Sequence, residues 1–202
     1  HLVAKGAVHD MGEGQTAASA KQTEGRVAEI GGQSNAFTSL AMTCYYISAS
    51  AGKTMACVDL VADWMARPEI TREDFQREHG VVQRELELGK DSVRRVMWYT
   101  HARNVFGDHP AAVPVIGYAA PLREVTYEDV LAYHSETYVP QNMVFTVVGD
   151  VDVEAVLARV RRGFAGLPAG RVPERILPEV APLAGVRRVV REHPEVTEAI
   201  EE

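Results

Sequence analysis

Apolar residues recur at helical spacing in several stretches of this 202-residue chain and alternate with polar ones in others. From Gln15 to Ile30, Ala17, Ala18, Ala20, Val27, Ala28 and Ile30 sit among polar neighbours. Gly31-Gly32 then acts as a stop, so a helix weakened at Gly25 is predicted there. Ser34–Ser39 and Thr43–Ser50 are rich in aromatic and β-prone types, including Phe37, Tyr45, Tyr46 and Ile47. Leu40-Ala41-Met42 links them, which predicts a pair of strands. Between Lys53 and Arg67, Met55, Val58, Val61, Ala62 and Met65 form a helical stripe that Pro68 closes.

Thr71 and Asp74 have the spacing of a capping box, and the helical pattern after them runs through Glu85 toward Asn104 with an interruption expected at Gly89. A second box, Thr126 to Asp129, opens a helix ending near Tyr138, because Pro140 forbids its continuation. Met143–Val148 reads as a short apolar strand. A helix with Val153, Val156, Leu157, Val160 and Phe164 on one side follows, finished by Gly166 and Pro168. Residues 169–185 are a Pro/Gly-containing connector, and Val186–Val190 reads as one more strand. Strands interspersed with long helices predict an α+β fold, an antiparallel or mixed sheet covered on one face by helices.

Composition narrows the function. Hydrophobic residues make up 46% and charged residues 24%, a globular balance, and 21 Lys+Arg against 28 Asp+Glu leave a net charge of −7. That charge disfavours nucleic acid and anionic membrane surfaces as partners. The C-terminal arginines 159, 161, 162, 171, 175, 187, 188 and 191 lack interleaved aromatics, so they read as a solvated or partner-facing surface. The uncharged run from Ile30 to Gly52 carries Gln33, Asn35, serines and glycines and is not a membrane span. Cys44 and Cys57 form no C-x-x-C pair, so buried free thiols are expected rather than disulfides or a thiolate metal site.

Candidate chemistry centres on two acids. Glu78 and Glu85 are seven residues apart on the predicted long helix, which places them on one face nearly in line. Paired carboxylates suit a hard or borderline cation, or one ligand plus a second acid that orients it. The histidines form no H-x-x-x-H or H-E-x-x-H pair within the chain. Gly12-x-Gly14 lacks the third glycine of a dinucleotide fingerprint, and Gly32-Gln33-Ser34-Asn35-Ala36 falls short of a nucleophile elbow.

The order of segments is more specific than any one of them. His1-Leu2-Val3-Ala4-Lys5-Gly6, the stretch Ile30–Ser39 with Asn35-Ala36-Phe37-Thr38, then Thr43-Cys44-Tyr45-Tyr46 and Arg77–Leu86 resemble the insulinase/pitrilysin zinc peptidases, mitochondrial processing peptidases among them. The likeness continues through Phe106-Gly107-Asp108-His109-Pro110, Pro114-Val115-Ile116-Gly117, Tyr138–Met143 and Val147–Val151. It implies inverted zincins, whose H-x-x-E-H helix supplies two histidine ligands and a glutamate base for a zinc-activated water, with a later glutamate completing the site.

By that resemblance His1 matches the second histidine of the motif, Glu85 the distal zinc ligand and Glu78 the supporting catalytic acid. Asn35, Ala36, Phe37 and Thr38 match the edge strand that receives an extended peptide by strand addition, while Tyr45-Tyr46 is expected in the sheet core. The motif's first histidine and its glutamate base would stand upstream of His1, and the span from His1 to Glu85 exceeds the family norm around Val8–Thr16. Residues 1–202 are therefore expected to be most of one N-terminal peptidase-like domain, truncated at both ends and inactive as an isolated chain. The implied cofactor is zinc, and the implied partners are a peptide substrate and a C-terminal homologous domain or partner subunit. The alternative is a non-catalytic homologue serving as subunit or scaffold. Cytoplasm and periplasm are both compatible with the sequence.

Overall fold

The computed structural model describes residues 25–66, 68, 70–172, 177–180, 182 and 185–192. His1, most of the predicted Gln15–Ile30 helix and the Val8–Thr16 excess lie outside the described residues. After a helical stretch at 25–29 come strands β1 (Gln33–Thr38) and β2 (Thr43–Ser48), then helices α1 (Thr54–Ala66), α2 (Arg72–Lys90) and α3 (Val93–Phe106). Helices α4 (Ala119–Glu124), α5 (Tyr127–Thr137) and α6 (Val153–Phe164) follow. The described residues divide into two compact units, those up to Gly80 with Val125 onward to α6 and its following loop, and those from Val81 to Glu124 with the described residues beyond 175; α2 contributes to both.

In the first unit β1 and β2 pair antiparallel with Ala36 opposite Tyr45 and Asn35 opposite Tyr46. Ser39 shapes the turn: its N–H donates to the Met42 carbonyl at 2.8 Å, and its hydroxyl oxygen accepts from the Ala41 and Met42 N–H groups. Alternation along the strands turns Ala36, Tyr45 and Ile47 toward a core of Val27, Leu60, Trp64 and Met65, so α1 covers one face of the hairpin. Removing Leu60 and Met65 from water contributes about 1.5–3 kcal/mol each. The same alternation puts Tyr46 on the exposed face with Asn35, so the expectation of a Tyr45-Tyr46 core pair holds for Tyr45 alone. Cys44 and Cys57 are free and half-buried.

Helix α6 packs on α1 where Gly163 meets Ala62, and the Arg159 guanidinium forks onto the Asp59 carboxylate, its Nε donating to Oδ1 at 2.5 Å and its Nη2 to Oδ2. Both predicted capping boxes form. Thr71 Oγ1 accepts from the Asp74 N–H at 3.0 Å while Asp74 Oδ2 accepts from the Thr71 N–H, and Thr126 and Asp129 repeat the exchange at the start of α5.

In the second unit the helical pattern breaks at Asp91-Ser92 rather than at Gly89. Ser92 caps α3 by accepting the Arg95 N–H, and Gly89 serves packing, since a Cβ there would lie 2.7 Å from Arg95 Nη1. Gly107, at φ 59°, ends α3 in a conformation that favours glycine. The segment 186–190 is held against α3 by reciprocal bonds between Arg187 and Asn104 rather than in a ladder.

The predicted strand Met143–Val148 alternates in burial, with Met143, Phe145 and Val147 half-buried and Val144 and Val148 almost fully exposed, but no ladder pairs it among the described residues. Alternation sets the direction of each side chain; a strand also needs a partner edge. No described helix is long and apolar enough to cross a membrane.

Candidate functional site

Helix α2 is polar along most of its length, opened by Glu73 and Asp74 in its first turn, where acids favour the helix dipole. Its charged residues are exposed or half-buried with one exception. Glu78 is only 3% exposed, the one buried charged residue among the described residues. An ionised carboxylate at such a position is costly unless charge and hydrogen bonds compensate it. The Arg77 guanidinium supplies charge: its Nε lies 3.9 Å from Glu78 Oε1, while its Nη2 donates to Asp74 Oδ1 at 2.6 Å. Burial works upward on the Asp74 carboxyl, but its bonds from Thr71 and Arg77 outweigh this and hold it below the usual carboxylate range.

Glu85 sits half-buried on the same helix. Seven residues at 1.5 Å each separate the two acids by about 10.5 Å along the axis and return nearly to the same face. Such a span suits one ligand and one supporting acid better than two ligands of one ion. Among the described residues no group of three or more His, Cys, Asp or Glu is assembled for a metal, so the donor set expected from the sequence is not brought together within them. His1, the histidine assigned to that set, lies outside the described residues.

Asn35, Ala36, Phe37 and Thr38 form most of β1. The bond from Ser39 N–H to Met42 O fixes the ladder phase, so that the N–H groups of Ser34, Ala36 and Thr38 turn away from β2. The Asn35 side-chain oxygen accepts the Ala36 N–H at 2.8 Å, and Phe37 is 49% exposed on the outer face. Thr38 Oγ1 lies 3.3 Å from Thr43 Oγ1 across the hairpin. A shallow cavity of about 130 Å³, lined by residues including Thr54, Met55, Asp150 and Asp152, contains none of these groups, and Asp152 is engaged in capping α6.

Sequence reasoning passed over two features. Asp74 and Arg77 stand at i,i+3 spacing just before Glu78, a pattern readable in the sequence but common on solvated helices. The Tyr45 and Tyr138 hydroxyls meet at 2.7 Å with the His134 ring stacked on Tyr138 at 4.4 Å. Burial, then the neighbouring Tyr138, raises the Tyr45 phenol, and burial lowers the His134 imidazole. Nothing local in the sequence announces a contact between residues 45 and 138.

Comparison with known proteins decides the family. The sequence model described as Insulinase (Peptidase family M16) matches residues 11–117, and the one described as Peptidase M16 inactive domain matches residues 124–200. The chain belongs to the insulinase family of peptidases. Within this family it is 34% identical over 161 residues to an uncharacterized zinc protease of Mycobacterium tuberculosis, an alignment covering 79% of this chain and 35% of that protein.

A solved protease from Helicobacter pylori superposes with a TM-score of 0.73 at 25% identity, over 89% of this chain and 43% of that one. A solved peptidase M16 inactive domain from Pseudomonas fluorescens shares the insulinase fold with a TM-score of 0.74 at 20% identity, over 87% and 43% of the two chains. The chain thus spans about a third of the length of these curated relatives. The α+β expectation agrees with these neighbours, a helix-rich insulinase fold with a small antiparallel sheet.

Proposed function

We propose that this chain is part of a zinc metalloendopeptidase, with Glu85 a metal ligand, Glu78 the supporting acid and His1 a histidine ligand. The observation that carries the reading is the burial of Glu78 on α2, two turns from the half-buried Glu85, in a member of a peptidase family. A carboxylate held away from water has a use when it orients a neighbouring ligand or charge. The acids of α2 fit the oxygen part of a zinc donor set, and zinc, when bound, lowers the pKa of a water to about 7 and polarises a carbonyl.

In this reading β1 receives the substrate. The Thr38 N–H, turned away from β2, offers a main-chain donor to an extended peptide, the Ala36 N–H becomes a second where a peptide carbonyl displaces the Asn35 side chain, and the exposed Phe37 gives an apolar contact beside them. The substrate class is therefore peptides or unfolded segments, bound with little dependence on sequence through their backbone. A homologous C-terminal domain or a partner subunit completes the enzyme.

Zinc per protein chain and hydrolysis of an unstructured peptide, measured for the full-length protein and its Glu85→Gln variant, test the proposal. Both are expected to be lost in the variant; unchanged zinc content removes Glu85 from the ligand set. A second reading, a non-catalytic subunit or scaffold, is favoured by the match of residues 124–200 to the inactive domain. It predicts that the wild-type protein purifies without zinc, leaves the peptide intact and is indifferent to Glu85→Gln.

A further inference from the structure

We propose that Arg77 is a positioning residue for Glu78, held in place by the capping box at the start of α2; this rests on the zinc-site reading above. Neighbours in a helix project about 100° apart, so an arginine does not ordinarily turn toward the residue that follows it. Here the far end of the side chain is fixed elsewhere. Arg77 Nη2 donates to Asp74 Oδ1 at 2.6 Å, and the other Asp74 oxygen accepts both the N–H and the hydroxyl of Thr71, at 3.2 and 2.6 Å. With its tip anchored one turn back, the guanidinium keeps Nε 3.9 Å from Glu78 Oε1.

Solvation distinguishes this chain of contacts from an ordinary surface pair. The side chains are 13% exposed for Asp74, 26% for Arg77 and 4% for Glu78, whereas the Glu87–Lys90 pair of the same helix, also at i,i+3 spacing, stands in solvent. Charges withdrawn from water interact more strongly and hold a fixed geometry, while exposed pairs contribute little. The guanidinium approaches the two carboxylates through two different nitrogens, Nη2 donating to Asp74 and Nε at ion-pair distance from Glu78, whereas a lysine would have to meet both from one atom. Thr71, Asp74 and Arg77 thus carry the rigidity of the helix start to the buried acid.

The test uses the full-length protein and the variants Arg77→Gln, Arg77→Lys and Glu85→Gln. It reads the zinc dissociation constant by competition with a chromogenic chelator, kcat/KM on an unstructured peptide, and the melting temperature of the metal-free protein. Arg77→Gln is expected to weaken zinc about 10-fold or more and to lower kcat/KM, with a lower metal-free melting temperature because the buried Glu78 loses a compensating charge; Arg77→Lys, which keeps the charge, is expected to recover the melting temperature and only part of the losses in zinc affinity and kcat/KM. Zinc affinity within twofold of wild type in Arg77→Gln, while Glu85→Gln loses zinc, overturns the positioning role and leaves the zinc site standing. A fall in metal-free stability with no recovery in Arg77→Lys marks a structural role and also overturns it. A wild-type protein that binds no zinc overturns both readings.

Discussion

Two arginine–carboxylate pairs in the first unit have the same chemistry and opposite settings. Arg159 forks onto Asp59 between α6 and α1, 100 residues apart in sequence, with both side chains about a third exposed. Arg77 lies beside Glu78 within one helix, the acid nearly sealed from water. The part-buried Arg159–Asp59 pair joins two helices that also meet at Gly163 and Ala62, so it adds direction more than stability. The Arg77–Glu78 contact lies within a single helix, and an apolar side chain of similar volume in place of a buried charge is often neutral or stabilising. A charge kept where packing gains nothing from it points to function.

Glu78→Leu breaks this contrast most severely. Removal of the buried carboxylate is expected to reduce kcat/KM of the full-length enzyme by about 100-fold or more, since groups orienting metal-site chemistry carry effects of that order. The melting temperature should stay level or rise, because an apolar group replaces a desolvated charge. Thermal melts and peptide hydrolysis on the same preparation check both halves. A large fall in melting temperature with activity intact would make Glu78 a structural residue.

Next in size is Gly163→Ala, which tests whether packing rather than charge joins α1 and α6. A Cβ at Gly163 would stand 2.7 Å from the Cβ of Ala62, itself 1% exposed, and neither atom is the end of a flexible side chain. The helices must separate, at a cost of about 1–3 kcal/mol, offset in part by the roughly 0.8–1 kcal/mol that alanine contributes over glycine inside a helix. A net loss of stability by chemical denaturation is expected. A stabilised variant would show that the interface accommodates a methyl group and that the ion pair matters more than the close approach.

What the sequence made legible divides along the same line. Periodicity and local chemistry located α1, α2, α5 and α6, both Thr-x-x-Asp boxes, the hairpin, and the common face of Glu78 and Glu85, because each depends on residues a few positions apart. The short helix α4, with Pro121 inside its six residues, gave too little pattern to be seen. The absence of a ladder at Met143–Val148, the outward turn of Tyr46, and the meeting of Tyr45 with Tyr138 depend on which surfaces the fold brings together. For the site, residue types and spacing identified the acids of α2, whereas the burial that separates Glu78 from the other glutamates of that helix exists only in three dimensions.

The smallest effect is expected at Asp59, and its pH dependence makes the comparison quantitative. Hydrogen bonding from Arg159 is the chief influence on this carboxyl and holds it below the usual range, outweighing the opposing effect of partial burial. A group whose pKa is lower in the folded state stabilises the fold above its unfolded value, near 3.9, and that contribution fades as pH falls through the folded value. Asp59→Asn should therefore lower the melting temperature slightly at neutral pH, less than Gly163→Ala does, and most at low salt. The difference from wild type should shrink below about pH 4, as the wild-type carboxyl takes up its proton. Activity should not change. Melting curves from pH 2 to 7 at two salt concentrations decide it: a difference that persists at pH 2 would assign Asp59 to packing, and a loss of zinc or activity would erase the distinction between the pair joining α1 and α6 and the one at Glu78.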